Sequence, residues 1–403
     1  MRLRQHLGRL ALLLPAIAGG TAIAAPRGEA TATATEAAPP KAASLPSAPS
    51  GRARSTLDPS LERAAERLLR GAKPVQGAIV ALDPRTGRLL AFRALTAGGS
   101  SLDVLTQARL PAASLFKVVT TTALFESTSL GLQDRICING GVHGIERRHL
   151  EPARGPGREC GPFAWALGHS KNAVFAQLAT RLLTRDDLLS TAERLGFNDK
   201  LPLDDGAQFA ELGKLSVPYN DLDFARAAAG FQDSSLSPVG AAYLMTLIAR
   251  GGAPVALRLH DTPDDPTETS EPPAPLVFSA RTARLLTRML EVTVETGTSR
   301  RAFTAPDGKR YLPSIRVAGK TGTLRPGNGE DTMTSWFVGF APSRSPEIVV
   351  SVMLVNGHTY RRKANQLARD LLRTYFRAHG HAQSVTDPFD EVPSDALAAA
   401  GPR

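Results

Sequence analysis

Cysteine is nearly absent, aromatic residues are sparse, and no apolar stretch is long enough to cross a bilayer. Each shortage closes off a class of function. Two cysteines in 403 residues exclude a disulfide-dense secreted scaffold. Neither has a His or Cys at zinc-ligand spacing beside it, so no metal site is expected there. His143, His149, His169 and His260 also fall at no metal-binding interval, and a surface or packing role is expected for them. Aromatics make up 5% of the chain and no dense basic run interleaves with them. The formal charge of +10 is therefore read as an arginine-rich solvated surface, with no nucleic-acid partner. That charge is uneven, since residues 1–58 hold seven Arg or Lys against three acids. Hydrophobic content of 42% and charged content of 21% are globular values, so most of the chain can bury a core.

What is present begins with Arg2, Arg4 and Arg9 ahead of an apolar run, Leu10 to Ala18, and the small residues Thr21-Ala22-Ile23-Ala24-Ala25. This order predicts a secretory signal peptide over 1–24. Even extended to Ala25 the run is 16 residues, broken by Pro15 and Gly19-Gly20, whereas a spanning helix needs about 20 apolar residues. An exported protein is expected, periplasmic or held in the cell envelope outside the cytoplasm. An oxidising compartment permits a disulfide between Cys137 and Cys160, which would stabilise the fold by about 3 kcal/mol; two unpaired thiols are the alternative. Residues 25–58, dominated by Ala, Pro, Ser and Thr, are expected to form a disordered tether. Through this N-terminal segment a loose association with the membrane or wall is expected. Residues 384–403, with Asp387, Asp390, Glu391 and Asp395, are expected to form a disordered acidic tail, which leaves 59–383 as the folded domain.

Within that domain, Gly77–Leu82, Asp83-Pro84-Arg85-Thr86-Gly87 and Arg88–Phe92 read as strand, turn and strand. Residues 114–127 read as a buried helix, and helical periodicity continues through Asn172–Leu183, Arg185–Leu195, Pro238–Arg250 and 280–295. The chain returns to strands at Ser314–Thr323, Ser335–Ala341 and Glu347–Asn356, then closes with a helix, Lys363–His379. Strands at both ends of a helical middle predict an α+β fold. In it an antiparallel sheet of about five strands packs with helices beside a mostly helical subdomain, and the active site lies between them.

Three short motifs carry the chemistry. Lys117 lies in the apolar segment Pro111–Val119, where a lysine must snorkel, pair or lose its proton. Ser114 stands one helical turn before it, so hydroxyl and amine share a face. Burial lowers a lysine's pKa and makes it a base for the hydroxyl; a capping Ser with a snorkelling Lys is the alternative. Fifty-six residues on, His169-Ser170-Lys171-Asn172 opens a helix. There Ser170 could relay a proton and Asn172 hold a substrate amide, although a helix N-cap looks the same. Third, Val317-Ala318-Gly319-Lys320-Thr321-Gly322-Thr323 reads as a strand. Lys320 with the flanking hydroxyls suits a carboxylate, and Gly322 leaves room for a ligand backbone pairing with the strand edge. The leading glycine of a phosphate-binding loop is missing, since Ser314 stands there, and Gly-x-Ser-x-Gly is absent.

Ser-x-x-Lys, Ser-x-Asn and Lys-Thr-Gly in this order resemble the superfamily of penicillin-binding proteins and serine β-lactamases. Asp83–Gly87 is similar to its first hairpin turn. Gly297-Thr298 and Trp336-Phe337-Val338-Gly339-Phe340-Ala341-Pro342 are similar to its transpeptidase members. The resemblance covers about residues 60–380. It implies Ser114 as the acylated nucleophile, Lys117 as its general base, Ser170 as proton shuttle and Asn172 as substrate ligand. Lys320 and Thr321 would hold the terminal carboxylate, with Gly322 and Thr323 beside them, and the backbone N–H groups of Ser114 and Thr323 would form the oxyanion hole. The implied partners are peptidoglycan stem peptides ending in D-Ala-D-Ala and β-lactam antibiotics, with no cofactor and no metal. A D,D-transpeptidase is expected, as a free-standing accessory enzyme; a D,D-carboxypeptidase, a β-lactamase and a non-catalytic β-lactam or muropeptide sensor are the alternatives. The β-lactamase reading lacks the Glu-x-x-Leu-Asn string, for which Asp204, Asp205 and Glu211 are the local candidates.

Overall fold

Alternation of side chains along each strand splits the interior into two cores separated by one sheet. In a computed structural model of the chain, which describes residues 54–96, 101–204, 208–261, 274–325, 332–358 and 361–380, that sheet has five strands: β1 (Gln76–Leu82), β2 (Leu89–Thr96), β3 (Ala318–Leu324), β4 (Met333–Ala341) and β5 (Ile348–Asn356). All neighbours are antiparallel and the order is β3-β4-β5-β1-β2, so β5 pairs with β1 across most of the sequence. Ala78, Val80 and Leu82 of β1 face one core, Ile79 and Ala81 the other. The fold class expected from the sequence is the one observed.

The outer core is closed by α1 (Pro59–Ala72) and the last helix, α6 (Ala364–His379). Helix α1 starts where Asp58 accepts the N–H groups of Ser60 at 2.6 Å and Leu61 at 3.1 Å, with Pro59 in the first turn. The inner core is built from α2 (Phe116–Ser127), α3 (Asn172–Leu182), α4 (Pro238–Ala249) and α5 (Ala280–Glu295). Helix α4 is apolar on all sides and fully buried against β1, β4 and β5. The turn at 83–87 forms as its residues predict: Asp83 accepts from the N–H of Arg85 at 2.8 Å, and Gly87 takes φ +74°.

Several boundaries differ from the expected ones. The strand bearing Lys320 starts at Ala318, because Ser314–Val317 form a loop rather than extended pairing. Ser114 sits on a separate 3₁₀ turn, Ala113–Leu115, ahead of the α-helix. Arg54 and Ser55, at the end of the expected tether, pair with Asp261 and His260. Residues 1–53, including the expected signal, and the 384–403 tail lie outside the described residues. No helix among the described residues is long and apolar enough to cross a membrane.

Cys137 and Cys160 face each other across a two-stranded ribbon and form a disulfide. They are 23 residues apart, and the enclosed loop carries Val142, whose carbonyl accepts from Asn172 Nδ2 at 2.7 Å. On the chain-entropy account, reduction is expected to lower the unfolding free energy by about 3 kcal/mol. Denaturant midpoints with and without reductant measure this, and coincident curves would show that the bond contributes nothing.

Candidate active site

The sequence singled out three segments far apart in the chain, and the fold brings them to one cavity of about 320 Å³. Its walls include Ser114, Ser170, Asn172, Thr298, Thr321 and Thr323.

The turn that presents Ser114 is fixed from behind. Ala113 adopts a left-handed φ of +49°, which costs a non-glycine residue roughly 1 kcal/mol or more. Gly230, at φ +78°, lies so close that a Cβ there would sit 2.0 Å from the Ala113 carbonyl oxygen. Gly230 follows the helix Asp221–Ala228, and the C-terminal carbonyls of that helix organise α2. Thr120 Oγ1 donates to Ala228 O at 2.8 Å, and Lys117 Nζ donates to Ala229 O at 2.6 Å.

The second bond of Lys117 is to Ser114 Oγ, at 2.7 Å. The lysine is fully buried, with its amine 5.8 Å from the ring centre of Phe175 on α3. Burial, reinforced by the charge of Lys320, pushes its pKa well below the ordinary 10.5. In its neutral form, which this shift favours, the amine has a lone pair to which the Ser114 O–H can donate.

Ser170 follows the cap residue His169 of a short helix, Phe163–Gly168, and takes φ +56° at the corner before α3. Left-handed geometry at this serine turns its hydroxyl toward the sheet, where it accepts from Lys320 Nζ at 3.0 Å. Lys320 also donates to Thr321 O at 2.7 Å. It too is fully buried, and burial brings its pKa down to about 7. The site therefore holds two lysines, each against a serine hydroxyl. Such a pairing is expensive in folding free energy and is the pattern of a site tuned for proton transfer.

Asn172 lines the cavity, and the alternative reading of it as a helix cap does not apply: it is the first helical residue of α3, and its amide donates to Val142 O. Gly322 does not open room for a ligand on the cavity side. A Cβ there would point inward, 3.3 Å from Ala113 Cβ and 3.4 Å from Leu115 Cγ, so the absent side chain lets β3 approach the turn carrying Ser114. Thr321 and Thr323, on the opposite face of the pleat, line the cavity.

Several wall residues carry no site role from the sequence, Thr298 and Trp336 among them, although both fall in segments noted for their resemblance. Thr298 shares a 2.6 Å hydrogen bond with Thr321 Oγ1, and its N–H donates to Gly168 O at 3.2 Å. The Gly297-Thr298 pair after α5, noted for its resemblance, was the signal for it. Val142, Met333, Ser335, Trp336, Lys363, Ala364 and Asn365 complete the wall. Among the described residues no Asp or Glu lines the cavity. Asp204 accepts from Leu259 N at 2.6 Å and contacts His260 Nδ1 at 2.8 Å. Glu211 accepts from Ala108 N and pairs with Lys214. Asp205 lies outside the described residues.

A family model described as the penicillin-binding protein transpeptidase domain matches residues 77–373. Peptidoglycan D,D-transpeptidase PbpA of Mycobacterium tuberculosis (strain H37Rv) is 25% identical over 349 residues, covering 76% of this chain and 68% of that protein. The D,D-transpeptidase domain of a peptidoglycan glycosyltransferase from Eggerthella lenta has the same fold, with a TM-score of 0.62 at 24% identity over 80% of this chain and 82% of that one. The imipenem acyl-enzyme complex of penicillin-binding protein A from M. tuberculosis gives a TM-score of 0.63 at 22% identity, covering 80% and 79%.

Proposed function

This chain belongs to the penicillin-binding protein transpeptidase family, and on that premise we propose that it is a serine D,D-transpeptidase of peptidoglycan stem peptides, acylated by β-lactams at Ser114. The observation that carries the reading is a pair of fully buried lysines, each within 3.0 Å of a serine hydroxyl, with both serines lining one cavity.

Ser114 Oγ attacks the carbonyl carbon of the penultimate D-Ala while its proton passes to the neutral Lys117 amine. The oxyanion is received by the N–H groups of Ser114 and Thr323. As the intermediate collapses, the C–N bond breaks, and the departing D-Ala nitrogen takes a proton through Ser170 Oγ. Asn172 orients the donor's amide, and Lys320, Thr321 and Thr323 hold the terminal carboxylate. An amine from a second stem peptide then attacks the acyl-serine and restores the hydroxyl. No step requires a metal or cofactor.

The walls favour transfer over hydrolysis of the antibiotic. Deacylation by water needs a positioned base, and the described lining residues include no carboxylate. Such an enzyme works outside the cytoplasm, where the wall is assembled; export by the N-terminal segment and loose attachment to wall or membrane are parts of this proposal.

Incubation with purified stem peptides ending in D-Ala-D-Ala, followed by mass spectrometry, is expected to yield crosslinked dimers. Trimmed monomers alone would reassign the enzyme as a carboxypeptidase. Turnover of a fluorescent penicillin within minutes, in place of a label that lasts for hours, would make it a β-lactamase.

A further inference from the structure

The positive charge of the chain is gathered on one side of the sheet. The outer core there is covered by α1, by residues 300–316 and by α6, whose apolar side chains (Leu61, Leu69, Phe303, Ile315, Leu367 and Leu372 among them) turn inward. The stretches 59–73, 300–316 and 361–379 hold fifteen Lys or Arg against four acids. Their net of +11 exceeds the +10 of the whole chain, so the other residues are close to neutral in sum. Twelve of the fifteen cations are arginine.

Contacts hold the three stretches in one layer. Arg369 Nη1 donates to Ala302 O at 2.8 Å, and the guanidinium groups of Arg369 and Arg373 lie 4.2 and 5.1 Å from the ring centre of Tyr311. His379 at the end of α6 is 3.3 Å from Asp58, the residue that caps α1. Neutralisation within the layer is slight. Asp370 alone serves Arg362, Arg369 and Arg373, and Glu66 pairs with Arg70. Arg63, Arg67, Arg301 and Arg377 are exposed and have no ion pair among the described residues. Like charges at this density repel one another, and a layer of opposite charge relieves that repulsion.

The chemistry and the shape of the layer indicate its occupant. Guanidinium forks engage phosphate oxygens two at a time. The cations are spread over two helices and a loop segment rather than converging in a cleft, which suits an extended charged surface more than a single ligand. The chain outside the described residues joins this layer at its rim: residues 1–53 lead into Arg54, just ahead of Asp58, and the described chain ends at Gly380, next to His379. A segment held to a membrane would therefore deliver the domain with this face beside the lipid.

We propose that the outer face of α1, residues 300–316 and α6 rests on an anionic lipid surface, with headgroup phosphates as its partners. The inference stands on the charge and its placement and is independent of the catalytic reading.

Co-sedimentation of the full chain with vesicles tests this. At about 0.1 M salt, an equimolar mixture of phosphatidylglycerol and phosphatidylcholine is expected to bind the chain at least about tenfold more tightly than phosphatidylcholine alone. At about 1 M salt, where the screening length falls from about 10 Å to about 3 Å, the difference is expected to vanish. Each arginine near such a leaflet is worth roughly fivefold. Arg63→Glu with Arg67→Glu, and separately Arg301→Glu with Arg377→Gln, should therefore weaken binding to the anionic vesicles at least about tenfold. Arg135→Glu with Arg181→Glu removes as much charge as the first pair from exposed positions outside the layer, and is expected to cost less than about threefold. None of these residues lines the catalytic cavity. Penicillin labelling and unfolding temperature should therefore match the parent's, which separates a failure here from a failure of the transpeptidase reading. Equal losses in the control pair, equal binding to neutral vesicles, or a preference that survives high salt would each overturn the proposal. Tighter binding to a soluble glycerol-phosphate polymer than to vesicles at equal phosphate would also overturn it, making a wall polymer the occupant.

Discussion

Alanine at position 114 is expected to abolish covalent labelling by a fluorescent penicillin while leaving thermal unfolding close to that of the parent. The Ser114 side chain forms a hydrogen bond with Lys117, and the amine keeps its second bond to Ala229 O when the hydroxyl is removed. A single hydrogen bond of this kind contributes about 1 kcal/mol, too little to unfold a domain with two cores. Loss of label with a preserved unfolding transition therefore identifies the nucleophile. Persistent labelling would move the nucleophile elsewhere, Ser170 being another serine hydroxyl on the same cavity wall.

Replacing Lys117 with methionine is the second large effect expected. Methionine fills a similar volume in surroundings that are already apolar, so only the base is lost. Acylation by penicillin is expected to slow about 10²- to 10⁴-fold, the range for removal of a general base. Stability should change by no more than about 1–3 kcal/mol, the cost of leaving Ala229 O without its donor. The pH profile supplies a separate check. Lys117 must be neutral to take the proton, so acylation falls as pH drops through its lowered pKa. That acid limb should vanish in the variant. Lys320 must be charged to hold a carboxylate, so carboxylate-bearing probes should lose rate as pH rises through about 7 in the free enzyme. A bound carboxylate raises that pKa, so under saturation the alkaline limb moves to higher pH. A single rise near 10 would mean that Lys117 keeps an ordinary lysine pKa, against the base assignment.

How much of this was legible depends on how local each signal is. The strands followed from short apolar runs bounded by turn residues, as in β1 and β5, and the main helices from 3.6-residue periodicity, as in α3 and α5. The Ser114–Lys117 contact was legible too, since one helical turn separates them and an apolar segment makes a lysine conspicuous. The reason for Gly322 was not. A missing side chain looks the same whether ligand or protein fills the space, and here the occupants, Ala113 and Leu115, are more than 200 residues away. Asn365 was invisible for a similar reason. It reads as an ordinary first-turn residue of α6, and only the folding of α6 beside β4 gives its amide a cavity to face.

The backing of Ser114 by Gly230 places part of the site's precision in an atom with no chemistry. The catalytic oxygen is aimed by a turn whose rear surface rests on a hydrogen of Gly230, with 2.0 Å between the Ala113 carbonyl oxygen and the place where any other residue would carry carbon. Tolerance to substitution should therefore be as narrow at this glycine as at the serine it supports, although nothing there ever meets a substrate.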